Sequence, residues 1–255
     1  HVKRRRQRQM CIRDSIKVSS NDFNIKNKES KIIEWIVPDT LSNPIGQIGI
    51  SINSDNNNNG KILMNYLDIS GTPKMTFKRP DHIDEYTRGI FYKEQPYGQL
   101  WKRAWVNDVD KWQFRWQEAF KIVRGIGRGH IMTGSEKWKD YTISSKISIP
   151  LASAAGLILR SQGLKRYYSL ELTSDKKLKI NKMEYELKTL KEIDFDLEFF
   201  KDYNLKFKVK GNHLQGFVDD KLMIEVEDNE NSFEQGMIGF ITENGAIQSE
   251  SISIE

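Results

Sequence analysis

The stretch Gly156-Leu-Ile-Leu-Arg-Ser-Gln-Gly-Leu-Lys-Arg-Tyr-Tyr-Ser-Leu-Glu-Leu-Thr173 decides the fold. With Leu164-Lys165 at a tight turn, Gln162 faces Tyr167, Arg160 faces Ser169 and Ile158 faces Glu171. The alternate positions then set Leu159 against Leu170 and Leu157 against Leu172. One register thus sorts apolar from polar side chains on both strands, and a slip by one residue would scramble both faces. The segment is an antiparallel hairpin with one side on a core. Its other side offers Arg160, Gln162, Tyr167, Ser169 and Glu171.

The same rhythm continues on either side. Tyr141, Ile143, Ser145, Ile147 and Ile149 alternate with Thr142, Ser144, Lys146 and Ser148, and Leu205, Phe207 and Val209 alternate with Lys206, Lys208 and Lys210. Period-two patterning with a charged outer side marks antiparallel strands covered on one side only. Further strands are expected over 178–187, 213–218, 222–226 and 237–242, punctuated by Gly163, Gly211, Gly236 and Gly245. Many short strands without an amphipathic helix of about ten residues or more make residues 120–255 an all-β antiparallel β-sandwich of the jelly-roll type.

Upstream, residues 16–80 hold short apolar runs closed by turn residues. Lys31-Ile-Ile-Glu-Trp-Ile-Val37 stops at Pro38, Gln47-Ile-Gly-Ile-Ser-Ile52 meets an asparagine run, and Lys61-Ile-Leu-Met-Asn-Tyr-Leu-Asp-Ile69 ends at Ser70-Gly71. These have strand lengths, but so few strands rarely close a sandwich of their own. The region is therefore expected to be part of a second β-sandwich. Residues 81–119 form an aromatic connector containing Phe91, Tyr92, Tyr97, Trp101, Trp105, Trp112, Phe114 and Trp116. Such a row can stack on sugar rings, but large aromatics more often serve as packing where segments dock.

Composition narrows the function. The chain has 255 residues and a formal charge of +5, and the opening stretch 1–15 accounts for all of that excess. It holds Lys3, Arg4, Arg5, Arg6, Arg8 and Arg13 against Asp14, and the rest of the chain is balanced. The leader, which includes RQRQMCIRDS, differs in composition from the body and resembles adapter-derived sequence found on unrelated metagenomic translations. It is set aside as non-native, and with it the case for a nucleic-acid partner. Cys11 is the single cysteine and lies in that leader, so the body has no thiolate nucleophile or cysteine-ligated zinc. No run of about twenty apolar residues suggests a membrane span. Compartment stays open, since sandwiches inside and outside the cell can do without disulfides.

Candidate chemistry is sparse. Asp55, Asn57, Asn59 and Gly60 begin a calcium-loop pattern, but Tyr66 stands where the bidentate glutamate belongs. Gly125, Gly127 and Gly129 imitate a phosphate loop with no helix to follow. Glu225, Glu227 and Glu230 loosely echo the acidic triplet of laminarinase-type hydrolases, yet Glu225 and Glu227 alternate with Ile224 and Val226 as on a solvated face. His82, His130 and His213 lack partners at ligand spacing. No catalytic residue, metal site or cofactor is expected. The outer face with Arg160, Gln162, Tyr167 and Glu171 is the candidate ligand site, its forked donors, amide and ring suiting hydroxyl-rich molecules. Trp138, in the turn Lys137-Trp-Lys-Asp140, joins the ligand set or caps the core. The competing reading of that face is a plain solvated sheet.

Gly156-Leu-Ile-Leu-Arg160, Tyr167-Tyr168, Gly211-Asn-His-Leu214, Val218-Asp-Asp-Lys-Leu222, Asp228 and Gly236-Met-Ile-Gly239 follow the order seen in concanavalin-A-like and laminin-G-like sandwiches. That group includes 3-keto-disaccharide hydrolase domains. Together with Tyr66-Leu-Asp-Ile-Ser-Gly71 and Trp101-Lys-Arg-Ala-Trp-Val-Asn107, the chain resembles the C-terminal region of some bacterial ADP-ribosylglycohydrolase-family proteins. The resemblance implies an accessory sandwich, preceded by part of a galactose-binding-like sandwich at 16–80, beside a hydrolase domain in a larger protein. It carries over no catalytic residue. The expected function is a non-catalytic module that binds glycan or positions its neighbour. The alternative is a sugar-active hydrolase of the 3-keto-disaccharide type.

Overall fold

Alternating side chains become two facing sheets in the computed structural model, which describes residues 18–26, 28–38, 48–52, 61–68, 71, 73–78, 102, 104–113 and 120–255. The first sheet is built on β5 (Tyr141–Leu151), β10 (Asp202–Lys210), β11 (His213–Val218) and β12 (Lys221–Glu227), each antiparallel to the next. Beyond β5 lie β14 (Ser251–Ile254) and β1 (Met75–Lys78). The second sheet runs β4 (Lys121–Thr133), β13 (Met237–Ser249), β6 (Ala154–Gly163), β7 (Arg166–Thr173), β8 (Lys177–Glu184) and β9 (Glu186–Asp194). Short strands β2 (Val106–Asn107) and β3 (Lys111–Gln113) pair with the free side of β4. The jelly-roll sandwich expected from the sequence is thus the observed architecture.

Strand β13 joins the layers. Its first half lies between β4 and β6, while Ala246, Gln248 and Ser249 pair with β5. The change follows a break in register between Glu243 and Gly245, where Asn244 has φ of 48°. A long strand that bends at such an irregularity forms the corner between two sheets.

Leu157, Leu159, Leu170, Leu172, Leu178 and Ile180 from the second sheet meet Leu205, Phe207, Val209, Leu214 and Ile224 from the first in one core. Burying each such side chain stabilises the fold by roughly 1.5–3 kcal/mol. The layers approach closely at Gly216, where a Cβ would stand 2.5 Å from Leu170 on β7. Any larger residue there would push the sheets apart.

The decisive hairpin forms with one difference. Gly163 pairs with Arg166 around the expected turn, but Leu159 then pairs with Tyr168 and Leu157 with Leu170. Four steps along β6 match two along β7, so β6 carries two extra residues in a bulge. Because the offset is even, the leucines keep their side of the sheet. Arg160, with φ of 48° inside the bulge, does not keep the side expected of it.

Upstream of the sandwich the result differs from the sequence reading. No strand occurs among the described residues of 31–37, 48–52 and 61–68. Apolar side chains there stay in water, Ile36 being 93% exposed and Ile32 74%. Apolar alternation holds a strand only where a partner supplies ladder hydrogen bonds and a second layer covers one face. Met75–Lys78, by contrast, pairs with β14 and buries Phe77. Trp105 packs on Phe77, Trp112 and Phe120 at ring separations of 5.6, 5.7 and 4.9 Å, and Phe120 continues to Phe240 at 5.3 Å. Trp105 and Trp112 therefore act as packing. Phe91, Tyr92, Tyr97, Trp101, Phe114, Trp116, His82, the leader and the asparagine run lie outside the described residues.

Candidate functional site

On the second sheet, the positions between the core residues point away from the first sheet. On β7 these are Tyr167, Ser169 and Glu171; β6 adds Ile158, β13 adds Ile241 and Glu243, and β4 adds Arg128 and His130. A solvated sheet face would expose its polar side chains. Here Tyr167 and Ser169 are 0% exposed, Glu171 1% and His130 3%. Ile158, Tyr167, Met183 and Ile241 form an apolar cluster separate from the main core. The most accessible members of the group are Arg128 and Glu243, whose side chains are 16% and 28% exposed and make its lip.

Arg128 organises the polar part. Its Nη1 donates to Glu243 Oε2 at 2.6 Å, and its Nη2 donates to Glu171 Oε1, which also accepts from Ser169 Oγ. Arg128 stands on β4 and Glu171 on β7, with β13 and β6 between them. The residue of β6 paired with Glu171 is Gly156, which places no side chain in that path. A Cβ on Gly156 would also lie 1.9 Å from the Leu170 carbonyl oxygen. Burial disfavours the charge on Arg128, but Glu171, Tyr167 and Glu243 outweigh it and raise its pKa.

His130 and Tyr167 stack loosely, with ring centroids 5.4 Å apart. Burial pushes the His130 pKa down to about 4, against the pull of Asp108, so the imidazole is neutral near pH 7. Burial also raises the Tyr167 pKa, which keeps its hydroxyl protonated. Both ring nitrogens of His130, the Tyr167 hydroxyl and Arg128 Nε are buried without a hydrogen-bond partner. Arg128 holds the Tyr167 hydroxyl by its charge and as a poorly aligned donor, short of a hydrogen bond of good geometry. Each unsatisfied buried polar group costs about 1–3 kcal/mol. Several on one face are the kind of defect that native proteins keep at functional sites.

The structure divides the residues singled out from the sequence. Tyr167 and Glu171 belong to this group. Gln162 is exposed at the hairpin end, donating to the Gln235 carbonyl at 3.1 Å and accepting from Arg166 Nε at 3.2 Å. Arg160 does not lie on the outer face. Turned by the bulge, it is buried at the end of the core, donating to the carbonyls of Lys139, Gly211 and Phe233 and to Asp140. Trp138 packs on that same core end, edge-on to Tyr141 at 6.4 Å. Arg160 and Trp138 hold loops together at the sandwich rim, away from Glu171. The pocket lined by Gly71, Pro73, Lys137, Lys139 and Asp140, about 310 Å³, also belongs to this rim.

Arg128 and Glu243 escaped the sequence reading, and His130 was weighed there only as a metal ligand. Gly125, Gly127 and Gly129 drew attention to a loop, whereas they lie within β4 at its irregularity, Gly127 with φ of 75° and its N–H donating to Asn244 Oδ1 at 2.7 Å. The alternation Arg128, His130, Met132 was the available signal. The acidic triplet does not converge. Glu225 accepts from Gln215 and His213, which lower its pKa, and Glu230 pairs with Lys188 at 2.7 Å. A general acid needs the opposite shift. Among the described residues, no group of three or more histidine, cysteine or acidic side chains is placed to hold a metal ion, and no helix is long and apolar enough to cross a membrane.

No protein-family model matches the chain, and no curated protein does either. Solved structures are similar. The carbohydrate-binding module CBM66 from Bacillus subtilis aligns with 60% of this chain and 95% of its own at 20% identity and a TM-score of 0.54. A Bacillus subtilis protein of unknown function with a galectin-like fold aligns with 61% of this chain and 90% of its own, at 9% identity and a TM-score of 0.47. The galectin LEC-6 of Caenorhabditis elegans covers 49% of this chain and 89% of its own, at 14% and 0.40. The first likeness is one of fold, an antiparallel β-sandwich spanning nearly the whole of that module.

Proposed function

We propose that the sandwich is a non-catalytic carbohydrate-binding module whose ligand meets the outer face of the second sheet at Arg128, His130, Tyr167, Glu171 and Glu243. The observation that carries this reading is the set of buried, unpaired donors and acceptors gathered on one face. A neutral imidazole presents one donor and one acceptor, a phenol presents both, and carboxylates accept. Sugar hydroxyls both donate and accept, so they complement all three. The fold shared with a carbohydrate-binding module favours this reading over a featureless sheet.

Catalysis by this group is disfavoured on physical grounds. Glu171 and Glu243 both bind the Arg128 guanidinium, whereas glycoside hydrolysis needs one carboxyl group kept protonated beside the bond to be broken. The module would then serve a neighbouring domain, the glycohydrolase context expected from the sequence being part of this proposal.

The test is a glycan array followed by calorimetry on the purified chain. Binding at micromolar to millimolar ligand, weakened at least fivefold in Glu171→Gln without loss of the folded state, is expected. An array with no binder at millimolar ligand would reject the reading.

A further inference from the structure

Charge balance on the same face says which carbohydrates it accepts. Arg128 is the only guanidinium in the group, and both of its terminal nitrogens are engaged by carboxylates. The neighbouring Arg124 is likewise matched, 3.2 Å from Asp110 and 3.6 Å from Asp108. Lys165 is the remaining cation acting on His130. Lys179, cross-strand from Glu171, is matched by Asp175 at 2.9 Å, so Arg124, Arg128, Lys165 and Lys179 against Asp108, Asp110, Asp175, Glu171 and Glu243 leave one net negative charge among the described residues. The buried groups left without hydrogen-bond partners on this face are the His130 ring nitrogens and the Tyr167 hydroxyl, which are uncharged, and Arg128 Nε, whose guanidinium is already held by Glu171 and Glu243.

We infer that this face selects neutral, hydroxyl-rich glycans and rejects those carrying carboxylate or sulfate groups. The inference rests on the carbohydrate-binding reading and narrows it. An anionic sugar gains little from a guanidinium whose two terminal nitrogens are already engaged by carboxylates. To pair with the terminal nitrogens of Arg128 it must displace Glu171, a buried carboxylate that also accepts from Ser169 Oγ. Breaking a buried ion pair by taking one partner away is strongly unfavourable, enough to separate matched neutral and anionic ligands by about 100-fold or more in affinity. Neutral hydroxyls instead satisfy His130 and Tyr167 and leave the Arg128 bridge in place.

The experiment compares pairs of probes that differ in charge: oligogalacturonate with its methyl ester, and lactose with sialyllactose. Calorimetry on the whole chain should detect neutral members only, with affinity insensitive to salt. Glu243→Gln removes one carboxylate at the accessible lip while leaving Glu171 in place, and should narrow the neutral-over-anionic ratio by about tenfold. Anionic members bound as well as or better than neutral ones would overturn the charge selection while leaving carbohydrate binding standing. If no member of either kind binds at millimolar concentration across a broad array, the carbohydrate reading itself fails.

Discussion

Tyr167→Phe removes one oxygen atom, and the proposed binding role gives that atom opposite effects on folding and on ligand affinity. The Tyr167 hydroxyl is buried without a hydrogen-bond partner, and its ring is fully enclosed with Ile158, Met183 and Ile241. Losing an unsatisfied hydroxyl recovers a desolvation cost of about 1–3 kcal/mol. The small void left behind costs only a few tenths of a kcal/mol, at roughly 24 cal/mol per Å³. The variant should therefore be more stable by about 1 kcal/mol, raising Tm by roughly 2–4 °C. Binding should weaken, because one ligand hydrogen bond worth about 1 kcal/mol is gone, which is roughly fivefold in Kd. Urea unfolding followed by tryptophan fluorescence reads the first quantity and calorimetry the second. A fall in stability of 1 kcal/mol would refute the reasoning, since it would mean that the hydroxyl is satisfied in the folded protein.

Other perturbations separate the rim from the face. Arg160→Ala strips donors from the carbonyls of Lys139, Gly211 and Phe233 and should cost about 3–5 kcal/mol in urea unfolding; the surviving folded fraction should bind glycan like the parent protein. His130 has its folded pKa lowered to about 4, below its unfolded value, so the unfolded chain binds the proton first. Stability from this group is present above about pH 6.5 and falls toward pH 4, by about 3 kcal/mol in full. His130→Phe should flatten that part of the pH profile, and an unchanged slope would show that the imidazole is not the source. Gly156→Ala would set a Cβ 1.9 Å from the Leu170 carbonyl oxygen and should destabilise by about 2 kcal/mol or more, measured as a lower urea midpoint.

Residues 120–255 disclosed their strands because side-chain alternation is local. Leu157, Leu159, Leu170 and Leu172 were legible as core even though their pairing is offset by two from the simplest hairpin, since an even shift preserves the face. The same bulge hid the fate of Arg160: an inserted pair of residues rotates whatever side chain it carries, and nothing in the alternation marks where the insertion falls. The apolar runs at 31–37 and 61–68 misled in the other direction. Their rhythm was strand-like, but a strand exists only against a partner.

What the sequence determined by itself is therefore the layer structure: which residues lie between two sheets, which look outward, and that no sulfur or imidazole cluster organises the body of the chain. Only tertiary structure assembled the proposed site. Arg128 reaches Glu171 over 43 residues and Glu243 over 115, because β13, late in the chain, inserts between β4 and β6. Alternation assigns a residue to a face. Its neighbours across that face are set by which distant strands pair, and that choice is made by the packing of the whole core.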